Sequence, residues 1–507
     1  MKLPHHPGRV MVAAGSQLAA DAGAEVAFAG GNAVDSAIAA MLVSMATEPG
    51  IVGMGAGGFI SIWAPGQDPV VIDGFIEMPG RGLQESDFHQ GLDRVWLDYG
   101  GGVYTYVGYG SVGTPGGVAG LASASVHYGV LDWSELLGPA IAAARRGFPL
   151  PTAASEYLEA ARDKVYGWDP PSYEALHHRD GRPIEALEKV QIPSLVESLE
   201  VLAAGGATEM YTGSIADQIV AAMKDGNGIV TAQDLAVYSP ITRHPIVIEH
   251  GDWSVATNPA PAVGGAVMAA LTLLAPRNHE PFSPPWLDEY ARAQEAVLGF
   301  RRDNFDAFAD RAGVVSELLA SASRADIAAL HGSSSTTHTS SVDTSGLACA
   351  ITMSAGYGAG AMPAGMWMNN SLGEIELMGG DPHALEPGTR LISNMAPTVA
   401  RHEDGSVLAI GSPGADRITT SLASTLLRYT DQGLSLQDSV DAPRMHIELG
   451  DQTIAAIEPG LEVSAFPTRV FPHHAMYFGG VQAASWHPKR GFEGAADQRR
   501  SGGISVG

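Results

Sequence analysis

The stretch SSSTTHTSSVDTSGLACAIT, Ser333 to Thr352, decides how the rest of the chain is read. Eight of the nine positions from Ser333 to Ser341 carry hydroxyls, interrupted only by His338. Such a run suits a solvated linker. Yet it lies deep inside the chain, and the apolar segment Leu347 to Thr352 follows at once. A threonine hydroxyl is a weak nucleophile until a base takes its proton. A cut just before a threonine supplies that base, because the freed α-amine has a pKa of about 8 that burial can lower. Ser335-Thr336 is the candidate cut site, with the Thr336 hydroxyl attacking the preceding carbonyl. On the residues alone, a plain loop remains the alternative.

The texture of the sequence changes at this run. Upstream, Val34, Ile38, Met41 and Leu42 recur at helical spacing after the turn Gly30-Gly31-Asn32. From Leu121 to Leu330 the pattern reads as mostly helical, with segments such as SELLGPAIAAARRG and SIADQIVAAMKDG each closed by glycine. Gly50 to Ala64 reads as a glycine loop leading into a strand over Phe59 to Trp63. Downstream come short strand-like segments: Leu347 to Thr352, Met366 to Met368, Val407 to Ile410 and Thr453 to Ile457.

Length and charge narrow the options. A chain of 507 residues can form two to four domains or one large intertwined unit. A net charge of −26 repels phosphate backbones and argues against nucleic acid as a partner. The single Cys349 excludes an intrachain disulfide and lies in an apolar run, which suits a buried thiol. No apolar run is long enough for a membrane span, and the N-terminus lacks a signal-like apolar core, so a cytoplasmic enzyme is expected.

Familiar chemistries fit poorly. Gly53 to Gly58, GMGAGG, leads into a strand rather than a helix, and no Lys-Ser or Lys-Thr follows. The pairs His5-His6, His177-His178 and His473-His474 lack partners at metal-binding spacing, so no metal and no cofactor is implied. The only G-x-S-x-G match, Gly503 to Gly507, has no helix after it.

The order of motifs adds a resemblance. TTH, then D-x-x-G and an alternating strand, is similar to the start of the small subunit in the gamma-glutamyltransferase family, N-terminal-nucleophile hydrolases made as one self-cutting chain. Ala29 to Phe59, Gly113 to Leu121, Ala144 to Pro151, Met210 to Tyr238, Asn258 to Val267, Met366 to Asn370, Arg390 to Thr398, Gly411 to Ile418 and Gly433 to His446 resemble that family's segments in the same order. The resemblance implies an α+β fold, a four-layer αββα sandwich. It also implies a large chain, 1–335, intertwined with a small chain, 336–507.

Site roles follow by the same resemblance. Thr336 matches the nucleophile, and Ser354 falls where the family has a threonine that bonds it. The backbone amides of Gly414 and Ala415 match the oxyanion hole, although the family has two glycines there. His338 belongs to the TTH signature in a structural role.

The substrate clamp departs from the pattern. Ile76, in FIEMPG, stands where glutathione-type members have an arginine for the γ-glutamyl carboxylate. After Asn369 and Asn370, Ser371 and Glu374 are weak matches to the residues that hold the amino group. Ser393-Asn394 replaces the usual serine pair. The short stretch from Asn370 to Arg390 lacks lid length, and Arg301, Arg302 or Arg390 could replace the lost cation. The expected function is a self-processing threonine amidohydrolase acting on a small-molecule amide, with an acyl group other than standard γ-glutamyl. Two alternatives are a γ-glutamyl hydrolase or transferase with a rewired clamp, and an unprocessed binding protein on the same fold.

Overall fold

The computed structural model describes residues 9–98, 102–304, 311–322, 336–375, 377–378 and 380–507. Two antiparallel sheets dominate it. The first has seven strands in the order Gly503–Val506, Val10–Ala14, Thr337–Asp343, Ala348–Ser354, Gly57–Trp63, Val70–Gly74 and Ile241–Arg243. The second has six, in the order Gly491–Ala496, Gln482–His487, Val407–Gly411, Thr398–His402, Trp253–Thr257 and Ile246–His250. Both sheets mix strands from before and after Thr336. The chain is therefore α+β, and no cut at that point divides it into two separate cores.

From Thr337 onward the hydroxyl run is strand, not linker. Thr337–Asp343 is a central strand, buried at all seven positions, paired with Val10–Ala14 on one side and Ala348–Ser354 on the other. Its polar side chains are tolerated because most find partners. Ser341 donates to the Ala33 carbonyl at 2.6 Å, and Ser340 donates to the Gln482 carbonyl at 3.2 Å. These two bonds point in opposite directions, as period-two alternation requires. Ser340 and Ser341 thus belong to the strand, as the sequence suggests. Ser333 to Ser335 lie outside the described residues.

Small residues set the space between the sheets. Ala256, Ala348, Ala350, Ala409 and Ala484 meet Val342, Val399 and Val407 in one cluster. The helix Ala33–Thr47 covers the other side of the first sheet, and all fifteen of its residues are buried. Asn32 caps it: its side chain accepts from the Val34 and Asp35 amides, while Asp35 accepts from the Asn32 amide. The helix ends at Glu48, just before Pro49. Gly264–Leu273 and Arg417–Thr430 share the core beside the second sheet.

The sequence misjudged three stretches. Ile241–Arg243, Ile246–His250 and Trp253–Thr257 are strands inside a region that reads as helical. Met366 to Met368 forms only an isolated bridge to Gly55. A 14-residue helix, Arg417–Thr430, interrupts the strand-rich final third.

Candidate active site

Strand directions bring the candidate residues to one end of the sheets. Thr337 pairs with Met353, so the register continues to place Ser354 across from Thr336. Ser354 in turn pairs with Gly57. The second sheet contributes the C-terminal end of Val407–Gly411 and the first residue of Gln482–His487 at this end. Thr336 itself is 1% exposed and lines a cleft of about 20 Å³ with Gly15, Glu48, Thr337, Pro413, Gln482 and Arg500.

Glu48 enters this cleft from the C-terminal end of its helix. A carboxylate there opposes the helix dipole and is stripped of water, and burial pushes its pKa up. The nearby Ser44 and Ser16 hydroxyls and the hydrogen bond from Thr337 partly offset that rise, as does the positive charge of Arg500. Sequence reasoning missed Glu48, although it lies within Ala29 to Phe59, one of the segments whose resemblance was noted.

The loop after Val407–Gly411 supplies the candidate oxyanion amides. Gly414 has φ 125° and Ala415 has φ 67°, so both adopt backbone conformations that L side chains rarely take. Their carbonyls accept from the Arg417 and Ile418 amides. Among the described residues, neither the Gly414 nor the Ala415 N–H has an acceptor. Buried N–H groups are seldom left so.

His338 faces the second sheet. Its ring nitrogens meet the Thr352 and Ser340 hydroxyls, each at 2.8 Å. Burial pushes its pKa down to about 3, so the ring is neutral near pH 7. Both ring partners lie on the first sheet, and the Ser340 hydroxyl reaches on to the Gln482 carbonyl of the second.

The expected clamp residues also gather here, but most are committed within the chain. The Asn370 carbonyl oxygen accepts from the Tyr357 amide, and its NH2 donates to Thr105 Oγ1 and the Tyr106 carbonyl. Glu374 is buried and lies with Asn370 against Gly356, two residues past Ser354. Ser393 accepts from the Met395 amide. The Ser371 hydroxyl and both amide atoms of Asn394 are buried without a partner. Ile76 is fully buried between Gly57 and Gly113: a β-carbon on Gly113 would lie 2.2 Å from its Cγ2.

The three arginines considered as replacement cations differ in placement. Arg390 donates to the Phe75 and Ser239 carbonyls, lies over the Tyr238 ring and sits beside Glu77. Arg302 is half exposed and pairs with Asp303. Arg301 is buried and helps hold the Asp416 carboxyl below its usual range, after Arg417 and His446. Arg500, by contrast, lines the Thr336 cleft itself. It was not singled out in the sequence, where QRRSGG carries no motif.

A second, larger cavity of about 800 Å³ is lined by other residues of three of the same elements. The helix Thr152–Ala161 gives Ala153 and Ala154 to the cleft, and Glu156 and Glu159 to the cavity. Pro413 and Arg500 line the cleft, whereas Arg417 and Arg499 line the cavity. The unpaired amides of Gly414 and Ala415 fall between Pro413 and Arg417.

Among the described residues, no cluster of His, Cys, Asp or Glu could hold a metal ion, and no helix is long and apolar enough to cross a membrane.

Thr336, the candidate nucleophile, thus immediately precedes a buried central strand. A family model described as gamma-glutamyltranspeptidase matches residues 19–507. The chain belongs to the gamma-glutamyltranspeptidase family, N-terminal-nucleophile hydrolases that act on amide bonds. It is 28% identical to the glutathione hydrolase proenzyme of Escherichia coli (strain K12), covering 99% of this chain and 93% of that protein. It is equally similar, at 28%, to the acylase ACY 1 proenzyme of Pseudomonas sp. (strain SE83), covering 99% and 94%. The fold matches the crystal structure of cephalosporin acylase from Bacillus halodurans with a TM-score of 0.79, covering 98% of this chain and 96% of that one at 23% identity.

Proposed function

We propose that the chain cuts itself between Ser335 and Thr336 and then cleaves an amide through an ester on Thr336. The observation that carries this reading is the placement of Thr336. It heads a buried central strand, opposite Ser354, in a cleft lined by Pro413, the residue before the candidate oxyanion amides of Gly414 and Ala415. The product would be a large chain, 1–335, and a small chain, 336–507, intertwined because both sheets take strands from each. The helices packed on the outer side of each sheet support a four-layer αββα arrangement.

The chemistry needs few groups. In self-cleavage, the Thr336 hydroxyl attacks the Ser335 carbonyl carbon, the C–N bond breaks, and water hydrolyses the resulting ester. The freed α-amine then serves as base. It accepts the Thr336 hydroxyl proton as oxygen attacks the substrate carbonyl. The Gly414 and Ala415 amides stabilise the oxyanion, and the Ser354 hydroxyl orients the nucleophile. The ammonium returns its proton to the leaving nitrogen as that C–N bond breaks. Water, deprotonated by the same amine, releases the acid.

The acyl group is not a standard γ-glutamyl unit in this reading. Ile76 cannot pair with a carboxylate, and Asn370 has spent its polar atoms. Ser371, Glu374, Ser393 and Asn394 remain as the residues beside the acyl group. The test is γ-glutamyl-p-nitroanilide. Slow turnover relative to a glutathione hydrolase, with an ester trapped on the small chain by a better substrate, supports the reading. Turnover at the rate of a glutathione hydrolase overturns the assignment of the acyl group.

A further inference from the structure

The α-amine that serves as base exists only after the cut, so within the uncut chain another group must take the Thr336 hydroxyl proton. Among the described residues lining the cleft, Glu48 and Arg500 are the charged ones. A guanidinium stays protonated at ordinary pH, and the Gln482 amide is no base. His338 does not line the cleft, and both its ring nitrogens meet hydroxyls of its own sheet. Glu48 is the acceptor that remains. It is 4% exposed, and its two oxygens differ. Oε2 accepts from the Thr337 hydroxyl at 3.0 Å, whereas Oε1 is buried without a hydrogen-bond partner. The Gly15 backbone packs against this pair: a β-carbon there would lie 2.7 Å from Thr337 Oγ1 and 3.3 Å from Glu48 Oε2. One oxygen thus anchors the carboxyl, and the other keeps its lone pairs for a proton. A cleft of about 20 Å³ has room for about one water, so a proton passes between Glu48 and Thr336 directly or across a single water.

We propose that Glu48 is the proton shuttle of self-cleavage, a role that rests on the Thr336 reading above. As Thr336 Oγ1 bonds to the Ser335 carbonyl carbon, its proton passes to the Glu48 carboxylate. The same proton goes on to the Thr336 nitrogen as the C–N bond breaks. This leaves an ester on Oγ1, a neutral amine and Glu48 ionised again. Water then hydrolyses the ester. Burial raises the Glu48 pKa, which makes it a better base than an exposed carboxylate. The groups around it moderate that rise. They are the Ser44 hydroxyl of its own helix, the Ser16 and Thr337 hydroxyls, and the charge of Arg500. The helix Thr152–Ala161 adds only the uncharged Ala153 and Ala154 to this wall.

The test follows the full chain, made by cell-free translation and then shifted to a chosen pH, as the two cleavage products appear on a denaturing gel. Glu48→Gln keeps the size and an oxygen that accepts from Thr337, but it takes no proton. It should cleave at least about a hundredfold more slowly than wild type. Glu48→Asp should restore part of the rate. The wild-type rate should rise with pH through one ionisation above the ordinary carboxyl value of 4.5, and Glu48→Gln should lose that rise. A Glu48→Gln chain that cleaves at the wild-type rate overturns the shuttle. So does one that is slower at every pH with the wild-type rise intact, which is the mark of a merely structural role. If Glu48→Gln does not fold, the wild type decides: a cleavage rate independent of pH from about 4 to 8 overturns the shuttle and leaves the Thr336 reading standing. A wild type that stays intact at every pH overturns the Thr336 reading itself, and the shuttle with it.

Discussion

The Thr337 hydroxyl donates to Glu48 Oε2 at 3.0 Å, joining the residue after the proposed nucleophile to the end of a helix 289 positions earlier. This bond fixes the start of the central strand against the fully buried helix Ala33–Thr47. Thr337→Val keeps the shape and removes the donor. Loss of about 1 kcal/mol in urea unfolding is expected, together with slower appearance of the two cleavage products. Unchanged cleavage kinetics would show that the bond does not position Thr336.

Ile76 gives the second prediction. Introducing arginine there restores the family residue but not its space, since Gly57 and Gly113 close around the side chain. Ile76→Arg should destabilise by at least about 3 kcal/mol and gain no γ-glutamyl turnover, because the charge is buried without a built partner. Ile76→Val should cost only about 1 kcal/mol. Both are read by thermal unfolding and a γ-glutamyl-p-nitroanilide assay.

At Ala415 the chain carries a side chain at φ 67° where the family has glycine. Ala415→Gly should raise stability by about 1 kcal/mol in denaturant titration, by relieving the left-handed strain. Its amide stays in the backbone, so hydrolysis should continue. A loss of stability would mean that the methyl group packs usefully in the core.

His338 predicts an acid limit. The unfolded chain protonates this imidazole near pH 6.5, the buried ring only at about 3. Between those values the unfolded state binds more protons. The stability due to His338 is complete above pH 6.5 and is lost as pH falls toward 3, by up to about 1.4 kcal/mol per pH unit. The raised Glu48 carboxyl acts in the opposite sense, so the informative quantity is a difference between variants. His338→Gln should show a flatter stability profile than wild type between pH 6 and 4. Parallel profiles would contradict the neutral, buried ring.

The residues of the candidate site were singled out from motif order. Thr336, Ser354, Gly414, Ala415 and the altered clamp all fall at one end of the sheets because strand register carries them there. Glu48 and Arg500 were not legible as site residues. A single acidic or basic residue carries no pattern, and its meaning comes from burial without a partner, which only packing reveals. The strands from Ile241 to Thr257 were missed for a related reason. They are three to five residues long and sit between the helices Ala232–Val237 and Gly264–Leu273, so pairing across the sheet outweighs their weak local signal.

The central claim concerns one peptide bond. Denaturing mass spectrometry of the purified wild type should show two chains, residues 1–335 and 336–507, the second beginning with a free threonine amine, and Thr336→Ala should remain a single inactive chain. An intact wild-type chain that hydrolyses amides, or cleavage that survives in Thr336→Ala, would contradict the account.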